Sequence, residues 1–233
     1  MRTWALLGDS HTFGQSGFAI CDALAAMRPD VRVLNAGVNA DLAWNLAERM
    51  ETALRDDPDV VHILIGTNDV NAGLHPDHAE GYMRDKGLPQ SPTPEFYRTN
   101  LRRIFDRVMS TGSRVIVSQI PPIGDEPDSP WNHAVSRYNA ILTEEAGLRD
   151  IIVIPLFDRL IETVDKSRVR SIDRTDWGTW IPDSQRLHDE DGMSWDAITD
   201  QRGLQLTHDG LHLNERSGRL WLTLLLRHLE AHR

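Results

Sequence analysis

The chain has 233 residues, 40% of them hydrophobic and 26% charged, with a formal net charge of −10. That is the composition of one globular domain, long enough to hide roughly 70% of its unfolded surface in a core. The acidic balance opposes nucleic acid or an anionic membrane surface as the main partner, and a single cysteine, Cys21, leaves no internal disulfide and no cysteine-based zinc site.

The first apolar run, Thr3 to Leu7, is far too short for a signal peptide and reads as a strand. No stretch reaches the ~18 apolar residues of a membrane span, so the sequence predicts a cytoplasmic protein. The run ends in Leu7-Gly8-Asp9-Ser10-His11-Thr12-Phe13-Gly14. Phe18 to Met27 follows as a helix, with Cys21 as a small buried apolar group. Val31 to Leu34 is a second strand, ending in Asn35-Ala36-Gly37. Asp41 to Arg55 is a helix whose apolar face is Leu42, Leu46, Met50 and Leu54. Val60 to Ile65 is a third strand, followed by Gly66-Thr67-Asn68-Asp69. Helices over Pro94 to Ser110 and Trp131 to Glu145 bracket a strand at Val115 to Ser118, and Ile151 to Pro155 is a fifth strand. The last helix, Glu215 to His232, opens after Asn214 as its N-cap and carries a Leu-rich face.

Strands covered on both faces and alternating with helices predict an α/β protein with a parallel sheet between helical layers. Residues 1–233 form one domain, with loop insertions at about 71–93 and 165–207 that do not follow the rhythm. Loops of that length usually have a task, and both are placed over the sheet's functional edge. The tryptophans of the second, Trp177, Trp180 and Trp195, either line a pocket or anchor the loop to the body.

In such sheets ligands bind beyond the carboxyl ends of the strands, so the residues after each strand carry the functional argument. Ser10 follows the first strand, Gly37 the second and Asn68 the third, while Asp209-Gly210-Leu211-His212 precedes the last helix. These are the groups that acyl transfer requires. A serine hydroxyl needs an imidazole to take its proton, the imidazole needs a carboxylate to hold its tautomer, and the oxyanion needs N–H donors. Asp209 and His212, three residues apart, can pair within one short turn. Singly, each segment also has a bland reading: Gly-Asp-Ser is turn chemistry, Gly37 a backbone device, Asn68 a cap, and Asp209 with His212 a helix-entry turn. Asp9 is expected to shape the serine turn through backbone hydrogen bonds, Asp69 to act similarly, and Asn35 and Asn39 to be turn-formers.

Other patterns carry less. Gly14-Gln15-Ser16-Gly17 is no nucleophile elbow, because Phe18 stands where Gly-x-Ser-x-Gly needs its last glycine. His75 and His78 have the spacing of metal ligands but no evident third partner. Asp189-Glu190-Asp191-Gly192 resembles a calcium loop only in charge.

Together, "GDSH", "NAG", "GTND" and "DGLHLN" resemble the sequence blocks of the SGNH hydrolases, also called the GDSL esterase and lipase family, in order and across nearly the whole chain. The resemblance implies a three-layer α/β/α sandwich on a flavodoxin-like five-stranded parallel sheet. It implies ester hydrolysis through a covalent acyl-serine, with Ser10 as nucleophile, His212 as base and Asp209 as its orienting acid. The oxyanion hole would be the N–H groups of Ser10 and Gly37 and the amide of Asn68, with no cofactor and no metal. The substrate is then a small-molecule ester with a short acyl or acetyl group, acetylated carbohydrate included. The same residues would serve an O-acyltransferase, a lysophospholipase or a thioesterase, whereas a silent binding module would need a broken triad. One position departs from the family, which usually has an apolar residue after the nucleophile. Here it is His11, expected as a wall or substrate contact and not as the base.

Overall fold

The computed structural model describes residues 1–74, 76–172 and 174–230, within which strands and helices alternate along the chain. Strand β1 (Arg2–Gly8) leads through the single turn α1 (Ser10–Phe13) and α2 (Ile20–Met27) into β2 (Val31–Gly37). Helices α3 (Ala43–Glu48) and α4 (Met50–Leu54) return to β3 (Val60–Leu64). Then α5 (Thr67–Leu74), α6 (Pro76–Lys86) and α7 (Pro94–Met109) precede β4 (Arg114–Ser118). Helix α8 (Pro130–Gly147), β5 (Ile152–Ile154) and α9 (Leu156–Ile161) follow, and α10 (Arg174–Asp189), α11 (Trp195–Gln201) and α12 (Glu215–Glu230) complete the order. The two longest central helices start where their sequences say they should. Thr93 accepts from Phe96 N and Ser129 from Asn132 N, each just ahead of a proline whose missing N–H would have had no partner.

All strand pairs are parallel, in the order β2-β1-β3-β4-β5. This is the flavodoxin-like order, with its switch point between β1 and β3. Side-chain alternation divides the core in two. Ala5, Leu7, Val61, Ile63, Val115 and Val117 face α3, α4, α7 and α8, whereas Trp4, Leu6, Leu64 and Ile116 face α2, α9 and α12. Each face is an apolar layer roughly one helix deep, so the sheet edge bearing the strand ends stands on a rigid base.

The structure differs from the sequence reading in three places. The expected helix over Asp41 to Arg55 is two helices that break at Arg49, whose guanidinium reaches back to Asp41 (2.7 Å) and to the Gly8 carbonyl (3.0 Å). The stretch 71–93, expected as a loop, is largely the end of α5 and all of α6. The stretch 165–207 holds α10 and α11. His75, Asp173 of the second stretch, and the end of the last helix as far as His232 lie outside the described residues. Among the described residues no helix is long and apolar enough to cross a membrane.

Candidate active site

Asp9, Ser10, Thr67, Asn68, Asp209 and His212 converge at the carboxyl ends of β1 and β3, the switch point. Asp9 caps α1 by accepting from His11 N at 3.0 Å, the turn-shaping role expected of it, and this starts a helical turn at Ser10. An amide in the first turn of a helix has no acceptor within the helix, so the Ser10 N–H is available. Asp209 accepts from the backbone N–H groups of Leu211 (2.8 Å) and His212 (2.7 Å) through Oδ1. Its Oδ2 accepts from His212 Nδ1 at 2.7 Å, and His212 Nε2 lies 2.9 Å from Ser10 Oγ. Because a carboxylate can only accept, Nδ1 carries the proton and Nε2 presents a lone pair to the serine hydroxyl.

Electrostatics favour that division. Burial draws the imidazole of His212 down, but the charge and hydrogen bond of Asp209 outweigh burial and hold it above its ordinary value. Burial pushes Asp209 up, yet the two histidines and the His212 N–H hold it well below the usual carboxylate range. The site therefore keeps a carboxylate beside a base strong enough to remove a hydroxyl proton.

The loop carrying this pair is pinned from several sides. Thr207 and Leu213 bridge as an antiparallel pair, and Gly124 N donates to Gly210 O at 2.8 Å. Buried Asp125 accepts from the amides of Gln205 and Leu206. Gly210 turns the loop at φ +88, and a Cβ there would strike the Trp177 indole. The segment Gln15 to Phe18, set aside as a failed motif, seats the loop: Phe18 N donates to Leu213 O (3.1 Å) and His208 Nε2 to Ser16 O (2.8 Å). Sequence reasoning missed His208. Its ring lies near-parallel between Trp195 (4.3 Å) and His212 (6.0 Å), with His188 stacked on the far side of Trp195 at 3.9 Å. Trp177 and Trp195 are buried, and Trp180 stacks under the guanidiniums of Arg170 and Arg202. Trp177 joins the main core and anchors α10 to the body, whereas Trp180 packs within the insertion and Trp195 packs on α10, α11 and His208.

Of the three expected oxyanion donors, two keep a free N–H and one does not. Asn68 is buried; one Nδ2 proton goes to Asp41 O (3.0 Å), while its Oδ1 accepts from Tyr82 OH (2.7 Å), which leaves the other Nδ2 proton unused. Gly37 N, expected to meet the oxyanion, donates to the Asn35 side chain at 3.0 Å, so that proton is already committed. What Gly37 supplies is space, because a Cβ there would run into the backbone of Thr12 and Phe13. Three residues on, Ala40 has φ +59, a left-handed backbone that alanine adopts only at a cost. The sequence gives no sign of it, because the usual marker of such a turn is glycine.

His11 is buried and tilted against His212, with ring centroids 5.5 Å apart. Burial pulls its imidazole down to about 3, so it is neutral. Asp69 accepts from Ala43 N at 2.9 Å and ties the end of β3 to α3; burial raises both Asp69 and Asp9 to about 7. Among the described residues, His208, Asp209 and His212 are the trio placed closely enough for a metal. A metal there would displace the Asp209 to His212 hydrogen bond. His78 Nδ1 instead faces the Asn71 carbonyl at 3.3 Å, and Asp191 pairs with Arg186 at 2.9 Å.

Comparison with known proteins agrees with this architecture. A model of the GDSL-like lipase/acylhydrolase family matches residues 6–219. No curated protein matches the sequence. The fold is similar to that of the acetyl xylan esterase AlAXEase (15% identity, 97% of this chain and 99% of that one, TM-score 0.67). It is also similar to a lipase/acylhydrolase from Enterococcus faecalis (20% identity, 99% and 96%, TM-score 0.63). A third is Axe2, an acetylxylan esterase from Geobacillus stearothermophilus (17% identity, 98% and 94%, TM-score 0.63).

Proposed function

The chain belongs to the GDSL-like lipase/acylhydrolase family and is an ester-cleaving serine hydrolase, and from that premise we propose that Ser10, His212 and Asp209 are its catalytic triad. The observation that carries this reading is the continuous hydrogen-bonded line from Ser10 Oγ through His212 (2.9 Å) to Asp209 (2.7 Å). Ser10 Oγ attacks the ester carbonyl carbon while His212 Nε2 takes the hydroxyl proton. Collapse of the tetrahedral intermediate breaks the bond to the leaving oxygen, to which His212 returns the proton, and the acyl group stays on Ser10. Water, deprotonated by the same nitrogen, then attacks the acyl-serine, and the acid leaves as Ser10 regains its proton.

The oxyanion is received by the Ser10 N–H and the free Nδ2 proton of Asn68, and we place a third donor at the N–H of Ala40. Two features support Ala40 over Gly37. Asn68 grips the carbonyl of Asp41, the next residue, so this turn and the Asn68 amide form one assembly. A strained left-handed alanine is also the kind of conformation that active sites retain.

We read the substrate as a short-chain, acetyl-type ester, with acetylated carbohydrate included. The space enclosed directly by Ser10, His11, Phe18 and His212 is only about 10 Å³. A cavity of about 340 Å³ near Asn68 is bordered by Ala40 and Tyr82 and lined by Asn71, Asp77, Asp85 and Lys86, groups suited to hydroxyls. Two of the similar folds are those of acetylxylan esterases. Ser10→Ala is expected to abolish p-nitrophenyl acetate turnover with folding intact, and undiminished turnover by the purified variant would refute the triad. A series of p-nitrophenyl esters from acetate to octanoate, run beside acetylated xylo-oligosaccharides, tests the substrate; a preference for the long acyl chains would overturn that part.

A further inference from the structure

Helix α6 lies between β3 and α7, and none of its side chains is fully buried. One of them nevertheless reaches back to the reaction centre. The ring of Tyr82 packs on the small cluster of Leu42, Ala72 and Leu88, which directs its hydroxyl at the Asn68 amide. We propose that Tyr82 is a positioning residue for ester cleavage: its hydroxyl donates to Asn68 Oδ1 and thereby aims the Asn68 N–H at the developing oxyanion. This rests on Asn68 being an oxyanion donor, as read above.

Hydrogen-bond polarity gives the assignment its direction. The Asp41 carbonyl can only accept, so the amide turns its Nδ2 toward it (3.0 Å) and its Oδ1 the other way. Asn71 Nδ2 can only donate, and it does so to the Tyr82 oxygen at 3.2 Å. The Tyr82 proton is therefore directed to Asn68 Oδ1 at 2.7 Å. Burial keeps that proton in place, pushing the phenol up to about 12. The result is a one-way chain, Asn71 to Tyr82 to Asn68, ending on an N–H with no other acceptor. In such a chain each bond polarises the next, by about 10–30% per bond in condensed-phase estimates. Without the phenol hydroxyl, a buried amide oxygen loses its donor and the amide loses the partner that fixes its rotation about χ2. Tyr82 also borders the 340 Å³ cavity, so the residue that aims the donor is part of the wall nearest a bound substrate.

The test is a double-mutant cycle in the full chain: Tyr82→Phe, Asn68→Ala and the two combined. Steady-state p-nitrophenyl acetate kinetics are compared at a temperature where all four proteins are folded by circular dichroism. Tyr82→Phe is expected to lower kcat about tenfold with KM within about twofold, and Asn68→Ala to lower kcat on the order of a hundredfold or more. In the Asn68→Ala background Tyr82→Phe should change kcat by less than about twofold, because a residue acting only through Asn68 has nothing left to aim. If the tenfold loss persists in that background, Tyr82 acts by another route and the proposal is overturned. A large loss from Asn68→Ala with none from Tyr82→Phe overturns it alone. Near-normal turnover by Asn68→Ala removes the oxyanion reading and this proposal with it.

Discussion

Gly37→Ala separates a spatial role for this glycine from a hydrogen-bonding one, since alanine keeps the backbone N–H. A Cβ built on Gly37 lies 2.8 Å from Phe13 Cα and from the Thr12 carbonyl carbon, and meets Phe13 N more closely still. Unstrained carbon contacts begin at about 3.5 Å, so α1 must move roughly 1 Å away from β2. The colliding atoms are all backbone, and no side chain can turn aside to absorb the displacement. Ser10 opens the same single turn. A nucleophile misplaced by about 1 Å costs on the order of a hundredfold in rate. Overpacking of this kind costs about 1–3 kcal/mol, or roughly 2–12 °C in melting temperature for a domain of this size. Ala40→Gly is the control: it relieves a left-handed alanine and should leave turnover and stability at least at their original levels. The assay is steady-state p-nitrophenyl acetate hydrolysis beside thermal melts followed by circular dichroism. A Gly37→Ala protein with kcat within twofold of the parent and an unchanged melt would refute the packing argument.

Two pH experiments follow from the buried charges. The base must be neutral to work, and Asp209 holds His212 above its ordinary value, so kcat/KM should rise with pH through a midpoint above about 6.5. In Asp209→Asn the two largest raising influences on His212 are lost and burial outweighs what remains, so the residual activity should titrate at lower pH; an unmoved acid limb would contradict the assignment. Asp9 is raised by burial to about 7, so its contribution to stability is full below about 3.8 and is lost as pH climbs through 7. Asp9→Asn should therefore match the parent's melting temperature near pH 4 and exceed it at pH 8.5, by up to about 4 kcal/mol in stability. A gap that does not vary with pH would show that Asp9 is not protonated in the folded state.

The five strands were legible because short apolar, β-branched runs end at Gly8, Asn35, Gly66, Ser118 and Pro155, and the polar residues after the first and third strands are the ones that meet at the site. Asp209 and His212 were legible for a local reason: three residues apart in one turn, they need no tertiary information to pair. Helix α6 was not. Its sequence, Pro76 to Lys86, has only Ala79, Tyr82 and Met83 as apolar side chains beyond its opening proline and buries nothing fully, so it has no apolar period to read. Helix α10 carries Gly178 and Pro182, which look like loop punctuation but are tolerated within a helix anchored by Trp177. The turn after β2 was hard to read for a related reason. Gly37 looked like the special backbone position, whereas its amide is committed to Asn35 and the left-handed residue is Ala40. His11, the departure from the family pattern, is held neutral because burial and its neighbours, not residue type, decide its charge. Tyr82 and His208 act through contacts 14 and four residues away in sequence, with no motif to mark them.

The central claim is that Ser10 is the nucleophile and His212 its base. It is tested most directly by labelling the intact protein with a fluorophosphonate and mapping the adduct by mass spectrometry. The account predicts one equivalent of adduct, on the peptide containing Ser10, absent in Ser10→Ala and formed far more slowly in His212→Ala. An adduct on any other residue, or an active enzyme that takes no label, would contradict it.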